Sequence, residues 1–478
     1  MPDTPASPRS PPASRSTTQR SSGTWRASRR ATRTISPPSS GSCSGFLPRC
    51  EPRSASQPGA RPSNVGAGRA SPLACWSPSS AGSRDCFIYA SEVGDEQRLS
   101  PGEQIRAARD AFESGQDFTI AVEEEFALLD PDTLELTSRF EELKAGAAGT
   151  ELDEHLVGEL IASEIEVKTG RCPDFGEAAE RMAQRRAQLA DLADQFGVAL
   201  SSTGTHPWSR WQDQRIIDTP HYRRNNEVLQ YVVWRNNSFG IHAHIGIRGA
   251  DRAIAVCNAF RNVLPELLAL SASSPFLEDC VTGLHSARTE IFTKLFPRCG
   301  VPDAYEGWAA YEEYVRFLYD TRSIDEHTQI WWSVRPHLAF PTVEVRICDA
   351  QPDLGQAQAL AALIHSLGVR FAHALDDGEP LPNLPHRLIE ENMWRAIRHG
   401  LGGELIDFER GEVVPARARI EALIDWVLPV AGEIGAAPYL AVPESNAAEG
   451  QYARLGNLGS HRDVFAELVR RPRERVVG

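Results

Sequence analysis

The sequence predicts an α+β protein organised around an antiparallel sheet, and three observations lead there. From about Ser100 onward, short apolar segments alternate with longer segments of helical periodicity. The strand segments themselves alternate charged and apolar residues, whereas strands of a parallel sheet, covered on both faces, read as continuous apolar runs. Such alternation implies an antiparallel sheet with one face against a core and one wet, functional face.

Residues 118–129 (FTIAVEEEFALL) form the first strand, closed by the turn Asp130-Pro131-Asp132-Thr133 and a hairpin return at 134–136. Residues 160–168 (LIASEIEVK) suggest a second strand. Apolar residues at helical spacing run from Phe175 to Phe196, with Gly197 as the stop. Short strands follow at 198–203 and 239–247, and the polar loop between them, HPWSRWQDQR (206–215), is a candidate substrate wall. Helices are expected at 252–272, 284–295 and 308–318, then strands at 330–334 and 342–347 that return to the sheet. Beyond Leu354 the pattern is nearly all helical.

The 478 residues suffice for a well-buried core in one large domain or two ordinary ones. Hydrophobic residues make up 41% and charged residues 24%, as in soluble globular proteins. No stretch approaches the ~20 consecutive apolar residues of a membrane span, so no membrane role is expected. The net charge of −14 hides an asymmetry: residues 1–85 carry twelve Arg, no Lys and only Asp3, Glu51 and Asp85 as acids, which leaves the rest close to −23. An acidic body disfavours nucleic acid as a partner, because phosphate contacts need clustered Lys and Arg. Of nine Cys, five (Cys172, Cys257, Cys280, Cys299, Cys348) are scattered through the body without CxxC spacing, which fits reduced thiols of a cytoplasmic protein.

Residues 1–95, rich in Ser, Pro and Arg, bury too little apolar surface to offset chain entropy, so a disordered tail is expected there. A start codon assigned too far upstream, or a transit peptide, would each account for it. Residues 96–478 read as a single catalytic α+β domain with a helical C-terminal part.

Side chains two apart on a strand share a face, so Glu123 and Glu125 point together while Glu124 points away with Val122 and Phe126. Two neighbouring carboxylates repel unless a cation sits between them, and oxygen ligands of this kind suit Mg²⁺ or Mn²⁺. For that pair alone, an exposed strand face in an acidic protein is the blander explanation. The geometry recurs, however, in Glu164 and Glu166, in His242 and His244 (GIHAHIGI), and in Glu344 and Arg346 (VEVRIC). Four polar pairs on sheet strands look like one site, supplying carboxylates and imidazoles for divalent ions and cations for phosphate oxygens. That inventory suits ATP chemistry. A P-loop, a kinase HRD with DFG, a dinucleotide GxGxxG and a hydrolase GxSxG elbow are all absent from the sequence.

From about Phe118 to Asp407 the chain resembles the type 2 glutamate-cysteine ligases, also called carboxylate-amine ligases. The resemblance is carried by VEEEFALLDPDTLEL (122–136), EIEVKTGRC (164–172), GTHPWSRWQDQRI (204–216), GIHAHIGI (240–247), LLALSASSPFLE (267–278), VRPH (334–337), EVRICDAQ (344–351) and ENMWRAIRHGL (391–401). It implies a glutamine synthetase-like fold, a curved antiparallel sheet flanked by helices with ATP and substrate at opposite ends and metal ions between. It also implies Glu123, Glu125, Glu166, His242 and Glu344 as magnesium ligands, and His244, Arg335 and Arg346 as contacts to ATP phosphates or an acyl phosphate, the two arginines acting in catalysis. Glu164 stands where relatives often carry an amide, which makes it a supporting residue.

By the same resemblance Arg288 would clamp the α-carboxylate of glutamate, with a surface salt bridge as the bland alternative. His206, Arg210 and Arg215 would line the amine side, unless they merely order a polar loop, and Thr169 and Gly170 would approach substrate. Val281 before Thr282-Gly283, where many relatives have Asp, departs from the family near the substrate pocket or subunit contacts, as does the segment after Gly450.

The expected activity joins the γ-carboxylate of glutamate to an amine such as that of cysteine through an acyl phosphate, with ATP and Mg²⁺ (or Mn²⁺). The substrates are small molecules, and a homo-oligomer is compatible with the resemblance. Glu344→Gln is expected to abolish turnover and spare the fold, since it opens no cavity. The rival readings are a metal-dependent hydrolase using the His and Glu set, and a catalytically idle relative that binds nucleotide or glutamate.

Overall fold

The structure is a computed structural model in which residues 100–469 are described; the tail expected at 1–95 lies outside them, as do residues 470–478. Its centre is a seven-stranded sheet of β1 (Ile120–Leu129), β2 (Leu156–Val157), β3 (Glu164–Lys168), β4 (Ala199–Ser201), β5 (Ile241–Gly246), β6 (Val334–His337) and β7 (Thr342–Val345). The order across the sheet is β6-β7-β5-β1-β3-β2, with β4 paired to the far end of β1 at Ala127–Leu129. Every pairing is antiparallel. Pro336, which cannot donate a ladder hydrogen bond, sits in edge strand β6, where that loss is tolerated.

One face of the sheet presents Ile120, Val122, Ile241, Ala243, Ile245, Val343 and Val345 to the main core. The helix Leu354–Asp376 lies against it so closely that a Cβ on Gly368 would meet Ile245 at 3.1 Å. Its start is fixed by Asp353, whose side chain accepts from the Gln356 N–H. The helix Phe175–Gln195 is capped in the same way by Asp174 and stops before Gly197, whose φ of +62° suits glycine. Glu124 lies on this covered face, paired with Arg186 of that helix; both side chains are buried, and Arg186 also donates to the Gln351 carbonyl at 2.9 Å.

The expected helix at 252–272 is two helices, Ala250–Arg261 and Leu264–Ser271, bent by 59° with Pro265 in the first turn of the second. The segment expected as a strand at 330–334 pairs at Trp331–Trp332 in parallel with Cys299–Gly300 and reaches the sheet only at Val334, where β6 begins. The second strand begins at Glu164 rather than at residue 160, and a hairpin, Glu404–Asp407 with Glu412–Pro415, interrupts the helical C-terminal part. No single helix among the described residues is long and apolar enough to cross a membrane.

Candidate active site

The register of the sheet decides which side chains meet. Glu123 is opposite Lys168 on β3 and His242 on β5, Glu125 is opposite Glu166, His244 is opposite Glu344, and Glu344 is opposite Arg335. Opposed residues of an antiparallel pair point to the same side, so these residues converge on the face away from the main core. Lys168 lies 3.1 Å from Glu123 Oε1 and 3.0 Å from Glu166 Oε1. His242 approaches Glu123 Oε2 at 3.5 Å and Glu125 Oε1 at 3.6 Å. His244 Nε2 is 3.4 Å from Glu123 Oε2 and 3.9 Å from Glu344 Oε1. Arg335 Nε donates to Glu344 Oε2 at 2.7 Å, and Arg346 donates to the other oxygen of Glu344.

The face is not wet, contrary to the expectation from strand alternation. Glu125, Glu164, Glu166, His242, His244, Arg335 and Glu344 are all buried, with Glu344 1% exposed and Glu123 and Arg346 partly exposed. Burial makes each charge depend on its neighbours. Burial alone would push the Glu123 carboxyl up, but Lys168 and the two imidazoles outweigh it and hold it well below the usual carboxylate range. Glu344 is likewise held well below, against its burial, by Arg335, Arg346 and His244. Glu166 is raised to about 7 by burial and by the charge of Glu123, against the pull of Lys168. Burial lowers His242, helped by Arg346; His244 is raised because Glu123 and Glu344 overcome its burial.

Two sets of side chains could each hold a cation, with ligand atoms within 4.8 Å of one another: Glu123, His244 and Glu344, and Glu123, Glu166 and His242. Glu123 belongs to both. His242 Nδ1, His244 Nε2 and Glu164 Oε2 are buried without a hydrogen bond, and the imidazole–carboxylate separations are too long for good ones. Uncompensated donors and acceptors at such depth are costly unless something further satisfies them. A divalent cation with oxygen and imidazole preference fits this donor set.

Other candidates from the sequence lie elsewhere or are otherwise engaged. His206 is buried, but its Nε2 meets the Leu134 carbonyl at 2.8 Å, its Nδ1 accepts from the Trp208 and Ser209 N–H groups, and its ring packs on Trp208 and Phe465. These bonds organise the loop. Arg215 is exposed and forms a two-pronged pair with Glu141 on the helix Phe140–Ala147, and Arg210 is 68% exposed. The Thr169 hydroxyl accepts from the Val122 N–H and donates to the Gly170 carbonyl, fastening β3 to β1. The Arg288 guanidinium donates to the Ile347 carbonyl at 3.1 Å and lies 3.8 Å from buried Asp349, which braces the chain just after Arg346. His206, Arg215 and Thr169 are engaged locally, whereas Arg288 keeps a buried Nε without a hydrogen-bond partner. Val281 is exposed in a small hairpin.

Three further residues belong to the face. Lys168 is one more step of two along EIEVK from Glu164 and Glu166, so the same alternation places it there. Glu159 is raised well above the usual carboxylate range by burial and by Glu166 and Glu125. It comes from the irregular segment between β2 and β3, which periodicity does not reach. The His337 ring lies 5.4 Å from that of His244, on the strand that carries Arg335.

In fold the chain is similar to a crystal structure of glutamate–cysteine ligase from Francisella tularensis in complex with AMP, with a TM-score of 0.54 at 13% identity, covering 75% of this chain and 89% of that one. It is similar to the same degree to a bifunctional glutathione synthetase from Pasteurella multocida, with a TM-score of 0.54 at 12% identity over 79% and 55% of the two chains. At those identities the likeness establishes a shared fold.

The particular family follows from sequence. Residues 119–455 match the description of Glutamate-cysteine ligase family 2. The chain is 38% identical over 323 residues to a protein of Solibacter usitatus named "Putative glutamate--cysteine ligase 2", covering 68% of this chain and 84% of that protein. A protein of the same name from Gloeobacter violaceus is 38% identical over 348 residues, covering 72% and 92%. The chain therefore belongs to glutamate-cysteine ligase family 2.

Proposed function

We propose that this protein is an ATP-dependent ligase that joins the γ-carboxylate of glutamate to an amine, with cysteine as the first amine to test, and that residues 96–478 form its catalytic domain. The observation that carries the reading is Glu123, shared by two carboxylate–imidazole sets and flanked on the same face by Lys168, Arg335 and Arg346.

Glu123, Glu166 and His242 would hold one Mg²⁺ or Mn²⁺, and Glu123, His244 and Glu344 another, with Glu125 beside His242. When bound, such ions neutralise triphosphate charge and favour attack at the terminal phosphorus. The chain's own part is to hold charge in place. Arg335 and Arg346, fixed by Glu344, present guanidinium groups toward the charge that builds on the transferred phosphoryl group.

The γ-carboxylate of glutamate attacks the γ-phosphorus of ATP, and the bond to the bridging oxygen breaks to release ADP. The amine then attacks the acyl carbon of the γ-glutamyl phosphate, inorganic phosphate leaves, and the nitrogen gives up its proton. Direct condensation is opposed because both partners are ionised near neutral pH; the acyl phosphate supplies a good leaving group. Positioning both reactants contributes as much as about 7–11 kcal/mol in favourable systems.

The test is ADP release from ATP and Mg²⁺ with glutamate and a panel of amines. Release that requires both the carboxylate and an amine supports the reading. Hydrolysis of an amide with no requirement for ATP points to the metal-dependent hydrolase, and nucleotide binding without turnover points to the idle relative.

A further inference from the structure

The face carries a cation whose role the family motifs leave open. Lys168 is the cross-strand partner of Glu123 and stands two residues from Glu166, so its stem runs along the same side of the sheet as both carboxylates. Its ammonium reaches Oε1 of Glu123 at 3.1 Å and Oε1 of Glu166 at 3.0 Å. Those two residues, with His242, are one of the two sets that could hold a metal ion.

We propose that Lys168 is the resident counter-cation of this set: it neutralises Glu123 and Glu166 until a divalent cation takes its place, and it thereby sets the cation affinity of the site. The inference rests on the metal-binding reading above and deepens it.

Three physical arguments support it. A partly buried carboxylate (Glu123) and a buried one (Glu166) on paired strands are costly to keep charged without a positive partner, and Lys168 lies within ion-pair distance of both. A divalent ion drawing on the same oxygens would stand within a few ångströms of the ammonium, where like charges repel strongly, so the two cations exclude one another. A lysine suits displacement because its compact charge rides on a flexible four-carbon stem, unlike a planar guanidinium locked by a fork of hydrogen bonds. The Lys168 side chain is 16% exposed while that of Glu166 is 2% exposed, so the lysine is less enclosed than the carboxylate it neutralises. On the other side of Glu123 the arrangement differs, because Arg335 and Arg346 grip Glu344 and remain beside it.

The experiment is Mn²⁺ binding to the full chain without nucleotide, followed by the electron paramagnetic resonance signal of free Mn²⁺, for wild type, Lys168→Gln, Lys168→Met and Lys168→Arg. Thermal melting checks that each variant is folded, and Lys168→Met, which keeps most of the stem, serves if Lys168→Gln does not fold. The neutral variant is expected to bind Mn²⁺ at least tenfold more tightly than wild type, and Lys168→Arg no more tightly than wild type. A lysine that only pins β3 to β1 would lower the melting temperature of Lys168→Gln and leave Mn²⁺ affinity where it was. Equal or weaker affinity in the neutral variants, with wild type binding, overturns the proposal and leaves the metal reading standing. If neither wild type nor the neutral variants bind Mn²⁺, both fall.

Discussion

Glu344→Gln tests whether the charged face is a catalytic site or only a buried ion-pair network, because the two roles carry effects of different kind. Glu344 is 1% exposed, and its two oxygens are shared between Arg335 and Arg346, with His244 3.9 Å away. Sequence alone leads one to expect the fold to be spared, since glutamine fills the same volume. The structure corrects that expectation, because the substitution leaves two guanidinium groups facing a neutral amide that can accept from only one of them. Removing one partner of a buried pair costs about 3–5 kcal/mol, and the amide's remaining acceptor puts this case near the lower end, about 3 kcal/mol. Loss of a preorganised charge at the reacting centre costs roughly 10²–10³-fold in turnover. The assays are urea unfolding at pH 7 and ADP release with glutamate, cysteine and Mg²⁺ under conditions where the variant is still folded. Undiminished ADP release would falsify the assignment of Glu344 to the catalytic face. An unchanged urea midpoint would show that the two arginines do not depend on it.

Three other substitutions separate scaffold from site. Arg186→Met leaves Glu124 buried without its partner, so a stability loss of about 3–5 kcal/mol is expected in urea unfolding, with Mn²⁺ affinity within twofold of wild type; an unchanged midpoint counts against the pair. His206→Ala removes the acceptor for two loop N–H groups and is expected to cost about 2 kcal/mol while leaving the KM for the amine within twofold; a tenfold rise in that KM would return His206 to the substrate wall. His365, buried in the helix Leu354–Asp376 with Nε2 on the Phe118 carbonyl, has its pKa lowered to about 4 by burial. A depressed folded pKa means the unfolded chain binds the proton more readily, so this contribution is complete above about 6.5 and is lost as pH falls toward 4. Between pH 7 and pH 5, wild type should therefore lose about 2 kcal/mol more than His365→Gln, and parallel urea-midpoint curves for the two proteins would refute it.

What the sequence made legible was what alternation controls. A period of two along VEEEF, EIEVK, IHAHI and VEVR placed Glu123, Glu125, Glu166, His242, His244 and Glu344 on common faces, and antiparallel pairing carried them to one side of one sheet. Lys168 obeys the same rule and was available to it. Glu159 was not, because it lies in an irregular segment outside the named strands and reaches the face only through tertiary folding. The polar loop at 206–215 shows a related limit of periodicity: composition marks it as unusual, but does not reveal that His206 is bonded on both nitrogens or that Arg215 pairs with Glu141. Alternation also suggested a wet face, since it reports which side of a strand is polar and is silent about what later chain segments lay over that side.

The three consecutive glutamates of β1 show why charge, more than position, decides what such a face can do. Glu124 points into the covered side, where a carboxylate is tolerable only with a partner, and Arg186 supplies one through a forked set of hydrogen bonds. Its neighbours on the opposite side have no such match. Glu125 takes the Gly240 N–H and leans on His242 at 3.6 Å, and Glu123 shares a single lysine with Glu166 and two imidazoles with Glu125 and Glu344. Glu344 apart, each carboxylate there has a fraction of a positive partner, and the carboxyls of Glu159, Glu164 and Glu166 are all pushed upward by burial and by neighbouring carboxylates. Evolution could have closed this deficit with a second buried arginine, as it did for Glu124. Leaving it open on the side that carries Arg335 and Arg346 keeps a region where added cations are favoured beside two guanidinium groups, the adjacency that the proposed phosphoryl transfer needs.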